Sequence, residues 1–178
     1  METFRRITIS SRWLSHLCLA LILLLPLYLA HHWLLPTRLW LDGMPFGPAS
    51  IYFERWPPPA DKQILGIVIS YLPGLLVAKG LWHLRRLFTL YSQGQFFSSE
   101  HVSLYRRTAS ATLWFVVVWV ISQSLMSVAM TYGTDRAVLS LTFTHAHAIA
   151  LFAAILLRVI TWIMSAAQEL AAENQQFV

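Results

Sequence analysis

Four long apolar runs, separated by short polar or charged clusters, set the pattern of the chain at residues 14–35, 64–84, 111–132 and 138–160. A helix rises about 1.5 Å per residue, so each run is long enough to cross a hydrocarbon layer about 30 Å thick. The third run contains a valine-rich stretch, WFVVVWVIS, that suits a buried strand, but its length decides for a membrane helix. The pattern predicts an all-α, polytopic membrane protein: a single domain of four transmembrane helices in an antiparallel bundle.

Residues within the runs fit that reading. Pro26 and the Pro73-Gly74 pair predict bends in the first and second helices, which membrane helices tolerate when neighbours satisfy the freed backbone. Trp13 and Trp33 flank the first run at headgroup depth, and Lys79 is close enough to a basic end to extend outward. Gln123, with Ser122, Ser124 and Ser127, predicts a face of the third helix packed on protein, with the Gln123 amide bonded to another helix. In the fourth, Ala146, Ala150 and Ala154 form a small-residue ridge for close helix approach.

Composition strengthens the membrane assignment. Apolar residues make up 57% of the chain and charged residues 12%, with a mean hydropathy of +0.57. One small core has no room for that much apolar surface, so the surplus faces lipid. The formal charge of +5 sits beside the apolar runs and reads as a topology signal; direct nucleic-acid binding is not expected. Arg5, Arg6, Arg12, Lys79, Arg85, Arg86, Arg106, Arg107 and Arg158 fall on one side, while Arg38, Arg55, Lys62 and Arg136 on the other are offset by Asp42, Glu54, Asp61 and Asp135. This bias predicts that both termini lie in the cytoplasm. The opening METFRR precedes an apolar run too long for a signal-peptide core, so that segment is expected to stay attached. Cys18, the only cysteine, is expected to act as a small apolar side chain.

Between the spans lie an aromatic-rich outer loop, 36–63, and a cytoplasmic elbow, 85–107; a tail, 161–178, follows the last span. In the elbow, the second helix is expected to continue to Tyr91, break at Ser92-Gln93-Gly94, and hand over to a helix capped by Ser98 or Ser99 with Glu100 in its first turn. The tail continues the fourth helix, with Glu169 and Glu173 one turn apart as a solvated face. Arg85, Arg86, Tyr91, Gly94, Phe96 and Phe97 of the elbow and Glu169, Glu173 and Asn174 of the tail are the candidate partner contacts, while the plainer reading of the elbow is a basic stirrup that contacts anionic lipid and fixes topology.

The segments LWHLRRLFTLYSQGQFFSSEHV and ILLRVITWIMSAAQELAAENQQFV resemble the domain-of-unknown-function 2975 (DUF2975) family of small bacterial membrane proteins. The matching positions are Leu84, Arg85, Leu87, Tyr91, Gly94, Phe97, Arg158, Glu169, Leu170, Glu173, Asn174 and Val178. The ending QQFV departs from the threonine-containing ending common in the family, so no role for that threonine transfers. The resemblance implies a protein of the bacterial inner (cytoplasmic) membrane with four membrane helices and no established enzymatic activity. Some members are encoded beside small helix-turn-helix regulators, which implies a membrane partner for such a regulator.

Histidine chemistry is the main alternative. His31 and His32 lie near the outer end of the first span, and His145 and His147 lie roughly 10 to 14 Å inside the outer end of the fourth. If those spans pack together, the imidazoles reach similar depths and suit haem, metal or quinone binding. His145 and His147 are about 200° apart around a helix, so one metal on one face is not expected, and interhelical hydrogen bonds satisfy the rings without a cofactor. No carboxylate lies in the spans to favour ion transport, and no nucleophile elbow, HExxH run or phosphate loop marks an enzyme. The sequence therefore predicts a membrane interaction or regulatory subunit with no cofactor. Haem is the cofactor alternative, and a small-solute or ion transporter is a further one. Expected partners are lipid, a cytoplasmic regulator or integral membrane protein, and a second copy of the chain.

Overall fold

The computed structural model describes residues 2–34, 58–95, 98–133, 138–141 and 143–176, without the side chains of residues 2–4, 32, 168 and 171–176. Four helices account for nearly all of it: α1, Glu2–Leu34; α2, Ala60–Ser92; α3, Ser99–Thr131; and α4, His145–Gln176. All four are long and apolar enough to cross a membrane. At about 1.5 Å per residue each is close to 50 Å long, so it outreaches a hydrocarbon layer of about 30 Å and extends past it. The fold is an all-α multi-pass membrane protein.

The helices pack in chain order, α1 on α2, α2 on α3 and α3 on α4. Among the described residues the backbones of α1 and α4 make no contact, so the antiparallel order holds between neighbours while the two end helices stay apart. Each end helix buries a narrow seam and leaves the rest of its surface apolar and exposed, as a helix facing lipid requires. On α1 the seam is Ser11, Ser15, Cys18, Leu29 and Trp33; on α4 it is His147, Ala154 and Thr161, spaced at sevens. Ala154 of the predicted alanine ridge is buried, with Ala146 and Ala150 beside it half-buried.

Small residues on α2 let its neighbours approach. A Cβ at Gly66 would fall inside the Trp33 indole, and one at Gly74 would press the Leu29 methyl at 3.1 Å. Trp33 lies fully buried over this notch, reaches Met126 and Met130 of α3, and donates from Nε1 to Ser70 Oγ at 3.1 Å. Lys62 Nζ donates to the Met130 carbonyl at 2.7 Å near the same end. Tyr71 Oη donates to the carbonyl of Pro26 at 3.2 Å, tying the proline turn of α1 to α2.

Two expectations need correction. The run at 138–160 is not helical throughout, because α4 begins only at His145. Residues ahead of it take their hydrogen bonds from α3 side chains: Val138 N–H donates to Thr131 Oγ1 at 3.0 Å and Ser140 N–H to Ser127 Oγ at 2.9 Å. These bonds satisfy backbone that apolar surroundings would otherwise leave unpaired. His145 and His147 consequently stand in the first turn of α4, with His147 against Trp119 midway along α3. Gln123 is half-buried and makes no hydrogen bond among the described residues, although Ser122 and Ser127 beside it are buried as the pattern implied. The outer loop at 36–57, Phe96 and Phe97, and the side chains of His32, Glu173 and Asn174 lie outside the described residues.

Candidate functional site

The elbow between α2 and α3 gathers a set of polar contacts from both helix ends. It starts where α2 ends in a complete C-terminal lock. Gln95 N–H reaches back to the Leu90 carbonyl and Gly94 N–H to that of Tyr91, both at 3.1 Å, with Gly94 left-handed at φ 77°. This paired closure satisfies helix-end carbonyls and needs a residue free of a Cβ penalty at the left-handed position. Ser92 Oγ donates to the Thr89 carbonyl at 2.7 Å and tightens the same turn.

α3 then starts on Ser98, and the residue three positions on closes the cap from the other side. Ser98 N–H donates to His101 Nδ1 at 3.3 Å, and Ser98 Oγ is 2.8 Å from the same nitrogen. A reciprocal cap of this kind usually carries Glu or Gln at its third helical position. Here an imidazole takes that place. Because a backbone N–H can only donate, Nδ1 must be the unprotonated nitrogen, which leaves the proton on Nε2. His101 is fully buried and its Nε2 makes no hydrogen bond.

The His101 ring packs on Tyr91 with centroids 4.9 Å apart, and the Tyr91 hydroxyl pairs with that of Tyr105 at 2.9 Å. These groups lie beyond the 64–84 and 111–132 spans. Burial holds the His101 ring below its ordinary value, with the Gln95 carbonyl and Glu100 opposing more weakly. Burial, and then the Tyr105 hydroxyl, push the Tyr91 phenol well up, so it stays protonated.

The outer wall of the elbow is charged. Arg86 Nη2 lies 3.2 Å from Glu100 Oε1 on the exposed surface, bridging the end of α2 and the start of α3. Pairs this exposed contribute little stability and serve better to fix orientation. The Arg85 guanidinium stands 5.2 Å from the centre of the Trp82 ring, within range of a cation–π contact. Beside them a cleft of about 360 Å³ is lined by Trp82, Arg85, Arg86, Thr89, Leu90, Gln93 and Glu100. At its base Ser15 Oγ of α1 meets Thr89 Oγ1 at 3.0 Å, so three helices converge here.

The structure thus gathers Arg85, Arg86, Tyr91 and Gly94 from the predicted contact set around one turn. Glu169 is exposed on the far part of α4, as a solvated tail requires. The histidines are not gathered. His31 is exposed near the end of α1 and His145 is exposed at the start of α4, on helices whose backbones do not meet. His147 is buried, with Nδ1 accepting Thr144 N–H at 3.0 Å and Thr144 Oγ1 2.8 Å away. Among the described residues no three His, Cys, Asp or Glu side chains converge as metal ligands. Packing of α1 on α4, which would bring His31 and His32 beside His145 and His147, is absent among the described residues.

His101 was missed in the sequence. The signal was present, since SSEH and THAH both read Ser or Thr followed three residues later by His. Scanning for a carboxylate or amide at the third helical position passes over both.

Four long apolar helices, packed in series and joined at one end by a buried, capped elbow, define a helical multi-pass membrane protein. Residues 49–178 match the family described as Protein of unknown function (DUF2975), and the chain belongs to that family. No curated protein and no solved structure matches it.

Proposed function

We propose that this protein is a membrane-embedded interaction subunit that docks a cytoplasmic partner on the crest of its elbow, with both termini on the same side. The observation that carries the reading is how firmly the elbow is built. A loop serving only to reverse the chain does not need the paired closure at Gly94, the buried His101 cap and the Tyr91–Tyr105 bridge together. Such a turn holds Gln93, Gly94, Gln95 and Ser99 exposed in fixed positions, with Arg106 and Arg107 exposed along α3. A preformed surface binds with less ordering cost than a flexible one. The basic residues on this side favour the cytoplasm under the positive-inside rule. The partner class in best accord with the family is a small helix-turn-helix regulator, with another membrane protein as the second class.

Photo-crosslinking from Gln95, exposed on the crest and outside the cleft, in native membranes tests this reading. A discrete protein adduct is expected, lost when Gly94 is replaced by Val while membrane insertion is unchanged. Crosslinks to lipid alone, or an adduct that persists in the Gly94→Val chain, would contradict the docking role.

A further inference from the structure

One face of α2 carries an exposed stripe that no neighbouring helix covers: Val68, Leu72, Leu75, Lys79, Trp82 and Arg86. The steps along it alternate four and three residues, so these positions share a line down the helix. From Leu72 to Trp82 the stripe runs about 15 Å, the depth of one leaflet's hydrocarbon. Its chemistry changes at the leaflet boundary, from apolar at Val68, Leu72 and Leu75 to cationic and aromatic at Lys79, Trp82, Arg85 and Arg86. That is the order of an acyl chain, a glycerol level and a phosphate.

The cationic end is shaped. The cleft beside Trp82 opens there, with both arginines in its wall as donors. Glu100 engages Arg86, whereas Arg85 has no carboxylate partner among the described residues and is placed over Trp82. A planar guanidinium with open donors suits a phosphate oxygen pair.

We infer that this stripe is a site for one anionic phospholipid, with its phosphate between Arg85 and Arg86 and an acyl chain along Leu75 and Leu72. The inference does not rest on the docking role, because the lipid occupies the flank of α2 and not the crest of the elbow.

Native mass spectrometry of the full chain released from phosphatidylcholine nanodiscs doped with phosphatidylglycerol is the test. One retained phosphatidylglycerol per chain is expected. Replacing both Arg85 and Arg86 with Gln is expected to weaken retention roughly 30-fold, from about 1 kcal/mol per basic residue at the surface. Arg85→Gln alone leaves the Arg86–Glu100 pair in place and is expected to weaken it about 5-fold. It serves as the second variant if the double one inserts poorly. The control replaces Arg106 and Arg107 with Gln, removing equal charge from α3, and is expected to change retention less than 3-fold. Equal loss in the control would mean diffuse attraction and overturn the site. Displacement of the lipid by inorganic phosphate at millimolar concentration would show a free-anion site and overturn the lipid assignment. Retention unaffected by all variants would overturn it as well.

Discussion

The two histidine caps, His101 at the head of α3 and His147 at the head of α4, use one local device in two different settings. Each ring accepts the N–H of the cap residue through Nδ1, each is fully buried, and each leaves Nε2 without a hydrogen bond. Around His101 the neighbours are the Tyr91–Tyr105 pair and, one residue away, the Glu100–Arg86 bridge. Around His147 they are Trp119, with centroids 4.0 Å apart, and Phe143, at 5.4 Å. The local motif fixes the tautomer, and the surroundings decide what the ring then does. At the elbow it supports a polar crest, while midway along α3 it is part of the aromatic contact between α3 and α4.

Removing each ring separates the two roles. His147→Ala loses cap and ring packing together and is expected to lower stability by about 3 kcal/mol in a denaturant titration. His147→Gln restores an amide cap and is expected to recover about 1 kcal/mol of that. If Gln recovers nothing, the capping role at α4 is wrong and only the stacking on Trp119 remains.

At the elbow the order of contributions reverses. His101→Ala is expected to cost about 2 kcal/mol, and His101→Gln to return most of it, because capping outweighs ring packing there. A larger rescue at 147 than at 101 would break the contrast. Tyr105→Phe leaves the Tyr91 hydroxyl buried without its partner and is expected to cost about 1 kcal/mol, read by the same titration.

Acid gives the finest separation. The cap needs an unprotonated Nδ1, and burial lowers the folded-state value of His101 below the ordinary 6.5. A depressed histidine contributes stability in full above the unfolded value, and that contribution drains as pH falls through the folded one. Protection of the elbow amides, corrected for the slower intrinsic exchange at lower pH, is therefore expected to fall as pH drops below 6.5, and the His101→Gln chain is expected to lose this dependence. Persistence of the dependence in that chain would assign it to another group.

Much of the fold was legible because lipid imposes one strong rule: apolar runs of membrane length become helices. The runs at 14–35, 64–84 and 111–132 fall within α1, α2 and α3 apart from a residue at two boundaries, and the break at Gly94 and the cap at Ser98 followed from local turn chemistry. Hydropathy was misleading at 138–144, where Val138, Leu139 and Leu141 look like helix yet their segment is bonded to Ser127 and Thr131 of α3. No local rule reports that a serine on one helix will serve the backbone of another strand of chain. The same limit applied to the histidines: their depths were estimated along single helices, but which helices meet is set by the notches at Gly66 and Gly74 that seat α1 on α2.

The central claim is that the elbow is formed before any partner arrives, and amide hydrogen exchange of the free chain in lipid nanodiscs measures this directly. The account predicts that the N–H groups of Gly94, Gln95 and Ser98, all bonded within the elbow, exchange at least about 100-fold more slowly than an open loop. Exchange of these three at the rate of an unstructured peptide would contradict it.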